Sequence, residues 1–217
     1  MPKRITGIEL QKKNQQRVNV FLDGTFAFSL SRIVAAWLQV GQEISDEKIQ
    51  QLQDEDRQEH NYQRALHYLA YKPRSTAELH KYLLHHQVDE IEAAAVLERL
   101  QKSGLLNDNS FAEAWIENQN EFRPRGRRAL AYELRQRGID DQTIQESLAD
   151  LDEEALAYQA ALKKSRTLKN SDWSEFQTKL STFLARRGFD YDTVRSVVKQ
   201  VWEEQRNSPP TGLPFEE

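Results

Sequence analysis

Hydrophobic positions in the last two-thirds of this chain fall into three series with matching intervals. Leu79, Leu83, Val88, Ala93, Leu97 and Leu100 are followed by Leu130, Leu134, Ile139, Ile144, Leu148 and Leu151, and then by Leu180, Leu184, Phe189, Val194, Val198 and Val201. A recurrence of this kind implies one structural unit used three times. In each series the two leucines four apart share a helix face, and the trios at 93/97/100, 144/148/151 and 194/198/201 fit a second helix.

An acidic residue follows the central apolar one in every copy, as Asp89, Asp140 and Asp190. Gly138 and Gly188 precede it in two copies, and Gln87 stands in the first. Glycine there ends one helix in a left-handed conformation, and the Asp accepts a free backbone N–H at the start of the next. Gln87 disfavours that conformation, so the first turn is expected to be built differently. Two short amphipathic helices leave an apolar edge, so each unit needs a third. The candidates are Tyr62–Tyr71, Asn109–Gln119 and Asp152–Ser165, with Leu66, Leu69, Phe111, Trp115, Leu156 and Ala160 facing inward. Ser75 with Glu78 and Asp172 with Glu175 read as capping boxes.

The first thirty residues follow another rule. Ile5–Leu10, Arg17–Leu22 and Thr25–Phe28 alternate and are rich in β-branched and aromatic side chains, which predicts a three-stranded meander with a two-residue turn at Asp23-Gly24. It should lean on a short helix at Ile33–Leu38 anchored by Trp37. A second helix is predicted from Asp46 to about Asp54, capped by Ser45, and the polar run 53–63 either continues it or acts as a link. The expected class is mainly α: tandem three-helix repeats in an elongated, curved arrangement behind a small antiparallel β module. The expected division is 1–55 for that module, 56–120, 121–165 and 166–206 for the units, with the preceding helix a candidate member of the last, and 207–217 as a disordered tail.

Composition narrows the function. The 217 residues carry a net charge of −4 and no cysteine, which argues against a general polyanion binder and removes disulfide and thiolate chemistry. No apolar run reaches membrane-spanning length, and the start at Lys3-Arg4 lacks a signal peptide's apolar stretch, so a cytoplasmic protein without a membrane partner is expected. The net figure conceals segregation. Residues 123–139 hold six basic side chains and one acidic, whereas 107–122 hold four acids and 140–162 seven, with no base in either stretch. Positive and negative patches can then face different surfaces.

Arg123, Arg125, Arg127 and Arg128 flank Pro124 and Gly126 at the entry to a repeat helix, where guanidinium groups and free N–H groups both suit phosphates or carboxylates. Internal pairing to the neighbouring acidic block is the competing reading. Lys72 and Arg74 occupy the corresponding joint before the first copy. Arg135, Arg137, Arg186 and Arg187 lie at the ends of equivalent helices, where they serve either a shared basic edge or simply the helix dipole. His80, His85 and His86 lack a fourth ligand and metal-site geometry. The paired acids sit in polar runs, and there is no phosphate-cradling loop or nucleophile elbow, so neither an enzyme nor a cofactor is expected. Tyr71, Tyr82 and Tyr132 lie close enough to the basic loops to stack on bases, although core packing explains them equally well.

Residues Val20–Ser31, Ala65–Ser75, Glu78 to Leu83, Leu97–Leu100, Gly104–Asp108 with Phe111-Ala112, and Gly126, Leu130, Glu133-Leu134 and Gly138-Ile139 stand in an order and spacing that resembles the RecX regulators of the bacterial recombinase RecA. The resemblance covers roughly residues 5–205. It implies a monomeric, non-catalytic protein that binds the RecA filament and its single-stranded DNA, and that inhibits strand exchange, ATP hydrolysis and co-protease activity. It also implies groove-facing roles for Arg74, Arg123, Arg125, Arg127 and Arg128. The chain departs from the family pattern at His85, His86 and Gln87. Two other classes fit the same residues: a stand-alone DNA-binding helical repeat protein, and a protein-only structural adaptor.

Overall fold

The computed structural model describes residues 2–207. Asn207, expected in the tail, closes the last helix; the rest of that stretch lies outside the described residues. Strands β1 (Lys3–Leu10), β2 (Arg17–Leu22), β3 (Thr25–Ser31) and β4 (Glu43–Ile44) form an antiparallel sheet in the order β3-β2-β1-β4. Asp23-Gly24 makes the expected two-residue turn, with Leu22 opposite Thr25. β4 was not legible in the sequence because two residues carry no alternation. Ile5, Val20 and Leu30 are fully buried beneath the sheet.

The short helix α1 covers only Arg32–Ala35. Trp37 therefore lies past its end and is 88% exposed, contrary to the expected anchoring role; Ala35 and Leu38 pack on the core instead. The polar run 53–63 does not break the chain. Helix α2 runs unbroken from Asp46 to Tyr71, because its polar side chains have partners on both sides. Asp56 accepts from Arg17 (2.7 Å) and from the Ser31 backbone, Glu59 pairs with Arg99 (2.9 Å), and Asn61 donates to Glu92 (2.8 Å). Buried polar groups satisfied in this way hold a helix as firmly as apolar contacts while remaining invisible to a hydropathy pattern. Leu52 belongs to the sheet's core and Ala65 to the next core along, so one helix serves both.

The remaining helices are α3 (Thr76–His85), α4 (Glu90–Lys102), α5 (Asp108–Phe122), α6 (Arg127–Gln136), α7 (Asp141–Leu148), α8 (Glu153–Ser165), α9 (Trp173–Arg186) and α10 (Tyr191–Asn207). Three apolar cores gather them as α2–α4, α5–α7 and α8–α10. The chain is thus mainly helical, with tandem three-helix units behind a small antiparallel β module. Every residue of the three apolar series is buried except Leu151, which is partly buried.

The turn inside each unit is also one motif used three times. The N–H groups of Val88, Ile139 and Phe189 donate to the carbonyls of Leu83, Leu134 and Leu184, and those of Gln87, Gly138 and Gly188 to Leu84, Arg135 and Ala185. This is the bonding of a Schellman helix end, with its apolar contact between the same residues. Gln87 takes φ +63°, beside +78° and +83° for the two glycines, so the first turn is not built differently; it uses the same geometry under strain. Asp89, Asp140 and Asp190 each accept the N–H three residues on, at 2.8, 3.0 and 2.8 Å. Those backbone bonds hold the carboxyls of Asp140 and Asp190 below the ordinary range.

One position breaks the pattern. Four residues before the first leucine of each series stand Ser75, Gly126 and Phe176. In the third copy α9 begins a turn earlier than its equivalents, and Phe176 is fully buried against Trp202, 4.9 Å between ring centres.

The described residues fall into two compact units. One comprises residues up to Arg74 with Glu78–Leu106; the other comprises Ser75–Ala77 with the residues from Asn107 on.

Candidate functional site

The basic residues singled out in the sequence converge most closely at a backbone joint in the second compact unit. Gly126 donates its N–H to the carbonyl of Arg187 at 2.9 Å, which brings the start of α6 against the turn after α9. A side chain on Gly126 would meet the Gly188 backbone at 2.4 Å, and one on Gly188 would meet the Ala129 nitrogen at 2.4 Å. The two glycines permit an approach that no other residue allows. A related contact lies at the other end of α6. There the Ser75 hydroxyl donates to the Arg137 carbonyl at 2.6 Å, and a side chain on Gly138 would meet Ala77 at 2.3 Å.

The Gly126–Arg187 contact gathers Arg123, Arg125 and Arg187. The Arg187 guanidinium donates to the Pro124 carbonyl (3.1 Å) and lies over the Phe183 ring. Burial first, and then the charges of Arg125 and Arg123, pull its pKa below the ordinary value. Arg125 forms an ion pair with Glu133, and Arg123 is exposed with no ion pair among the described residues. Among the described residues only Arg125 of these three has an ion-pair partner, and the surplus charge favours an anion. Arg186 is exposed beside Lys164 and Lys179 in a shallow depression that also includes Arg187.

Other predicted site residues are placed elsewhere. Arg127 turns inward and ties the end of α7, donating to the carbonyls of Leu148 and Leu151 (3.1 Å to the latter) while its own N–H meets Glu153 at 3.1 Å. Its neighbour Arg128 is exposed. Arg135 pairs with Asp141 (2.7 Å), and Arg137 lies over the Trp115 ring at 3.6 Å. In the first unit Lys72 is exposed, whereas Arg74 lies over Tyr68, which stacks on Tyr82 at 3.8 Å. Tyr82 is thus committed to packing, and Tyr71 and Tyr132 remain exposed.

Sequence reasoning passed over Arg195 and Lys199, exposed on α10 beside Arg128. Their spacing of four, flanking Val194 and Val198, was the available signal. Among the described residues no group of His, Cys, Asp and Glu is arranged to hold a metal ion, and no helix is long and apolar enough to cross a membrane.

Family models match most of the chain: the regulatory protein RecX N-terminal domain over residues 3–45, and the first, second and third three-helix domains of RecX over 62–100, 107–148 and 152–198. The chain belongs to the RecX family. Regulatory protein RecX of Bacillus subtilis is 34% identical, over 91% of this chain and 76% of the relative. The RecX protein of Halalkalibacterium halodurans is 32% identical, over 93% and 81%. A crystal structure of a regulatory protein RecX superposes with a TM-score of 0.77 at 26% identity, covering 91% of this chain and 99% of the other. RecX from Lactobacillus salivarius shares the fold, with a TM-score of 0.63. RecX-family proteins are non-catalytic regulators, and the side chains gathered at the Gly126–Arg187 joint are suited to binding rather than to acid–base or nucleophilic chemistry.

Proposed function

We propose that this RecX-family protein binds the RecA–single-stranded-DNA filament in the bacterial cytoplasm and inhibits its recombinase, ATPase and co-protease activities without chemistry of its own. The observation that carries this reading is the convergence of Arg123, Arg125 and Arg187 at the Gly126 joint, where Glu133 pairs with Arg125 alone. Like charges held together by backbone geometry repel, and an anion bound there relieves the repulsion. The phosphates of a nucleic acid supply that anion, while the acidic stretches 107–122 and 140–162 suit a basic protein surface. Successive helical units in one chain raise each other's effective concentration on a repeating partner, so modest contacts sum.

The direct test is to titrate the protein into RecA hydrolysing ATP on single-stranded DNA. Inhibition far below one molecule per RecA protomer indicates action at filament ends, and inhibition only near saturation indicates occupancy along the length. Unchanged hydrolysis at saturation rejects the proposal.

A further inference from the structure

A concave site on the second compact unit combines cations with exposed aromatic rings. A groove of about 660 Å³ runs between α9 and α10, with an apolar floor from Phe189 and Val198. Arg128, Arg195 and Lys199 supply positive charge at its wall, and no carboxylate lines it. Arg128 and Arg195 make no ion pair among the described residues, and Lys199 lies 3.8 Å from Glu203. Trp173 and Tyr191 are 39% and 76% exposed; Trp173 leans on Trp202 at 5.3 Å, which fixes its ring while leaving part of it open.

The family assignment does not explain this combination. Helix packing accounts for the valines of α10 but not for an exposed tyrosine and two cations beside them. The groove adjoins the Gly126 joint along the chain, because Arg128 stands two residues past Gly126 and Ala129 packs where a side chain on Gly188 would lie.

We infer that the α9–α10 groove is a binding site for single-stranded nucleic acid, with bases against Tyr191 and Trp173 and backbone phosphates on Arg128, Arg195 and Lys199. Cationic grooves with aromatic faces bind single strands with little sequence preference, because every base offers a π-face. A duplex hides those faces, so the groove discriminates against it. The inference extends the nucleic-acid part of the function proposed above but needs no RecA, and it is tested without RecA.

The experiment measures anisotropy of a labelled oligothymidylate with the full chain, and of an abasic oligomer of equal length that keeps the phosphates and lacks the bases. Tyr191→Ala should weaken oligothymidylate binding at least about fivefold and leave abasic binding unchanged. Arg195→Glu with Lys199→Glu should weaken both, and reduce the slope of log affinity against log salt by about one to one and a half. All these side chains are exposed, and circular dichroism checks that the variants fold. Equal affinity of the unaltered chain for the two oligomers, or a Tyr191→Ala protein that binds oligothymidylate normally, overturns the inference. Displacement of the oligonucleotide by a polyglutamate peptide of equal charge as readily as by unlabelled oligothymidylate would assign the groove to an acidic protein segment, and also overturns it. A chain that binds oligothymidylate through Tyr191 yet leaves RecA hydrolysis unchanged rejects the filament proposal and retains this one.

Discussion

Gly126 and Arg187 are joined main chain to main chain at 2.9 Å, and the contact admits no side chain at position 126. The atoms that a methyl group would strike are backbone atoms of Gly188 and Phe189, which cannot turn aside as a side chain can. Gly126→Ala should therefore destabilise the second compact unit by about 1–3 kcal/mol, the usual range for overpacking. Urea denaturation read by tryptophan fluorescence measures it. A midpoint equal to that of the unaltered protein would mean that the joint is looser than the geometry indicates.

Arg127 and Arg128 are neighbours with opposite assignments. Arg127→Ala removes bonds to two carbonyls at the end of α7, and with the side chain partly exposed this should cost about 1–2 kcal/mol of stability. Its binding to nucleic acid at a temperature where it is folded should hardly change. Arg128→Ala should do the reverse, with stability kept and affinity reduced. Thermal unfolding and anisotropy on both variants decide the matter.

Gln87 occupies a left-handed position that glycine fills in the other two copies. The conformation costs a side-chain-bearing residue about 1–2 kcal/mol, while glycine loses roughly 0.5–1 kcal/mol through its freer unfolded chain. Gln87→Gly should thus stabilise the first helical unit by about 1 kcal/mol or less, seen as a higher urea midpoint. A lower midpoint would show that Gln87 makes a compensating contact.

Asp140 and Asp190 contribute to stability in a pH-dependent way whose sign is fixed. Their folded pKa values lie below the ordinary 3.8, so their contribution is present above that pH and is lost as pH falls through the depressed folded values. Asp190→Asn keeps a capping oxygen but removes the titration. Its stability should fall less steeply than that of the unaltered chain below about pH 4, as followed by circular dichroism. Parallel curves would show that the cap does not take part in acid unfolding.

The sequence carried the repeat almost completely, because burial of a helix face leaves its period in the side chains. The series from Leu79 to Val201 is buried as expected, and the Asp caps fall where the glycines and Gln87 place them. What it concealed depended on partners far along the chain. The run 53–63 reads equally as helix or as link because Asp56, Glu59 and Asn61 are polar; their partners Arg17, Arg99 and Glu92 are 31 to 40 residues away. The arginines posed the same difficulty. Nothing local separates Arg127, which is spent on the carbonyls of Leu148 and Leu151, from Arg128, which makes no ion pair among the described residues. The role of Gly126 was missed because a close backbone approach leaves no side chain to read.

Phe176 bears on how one copy is joined to another. At the positions held by Ser75 and Gly126, hydroxyl or bare backbone reaches out to a following turn; the third copy instead spends that place on its own interior. A neighbour seated by the contact that Ser75 and Gly126 make would find no counterpart here, and evicting the phenyl ring to provide one would hollow out the bundle.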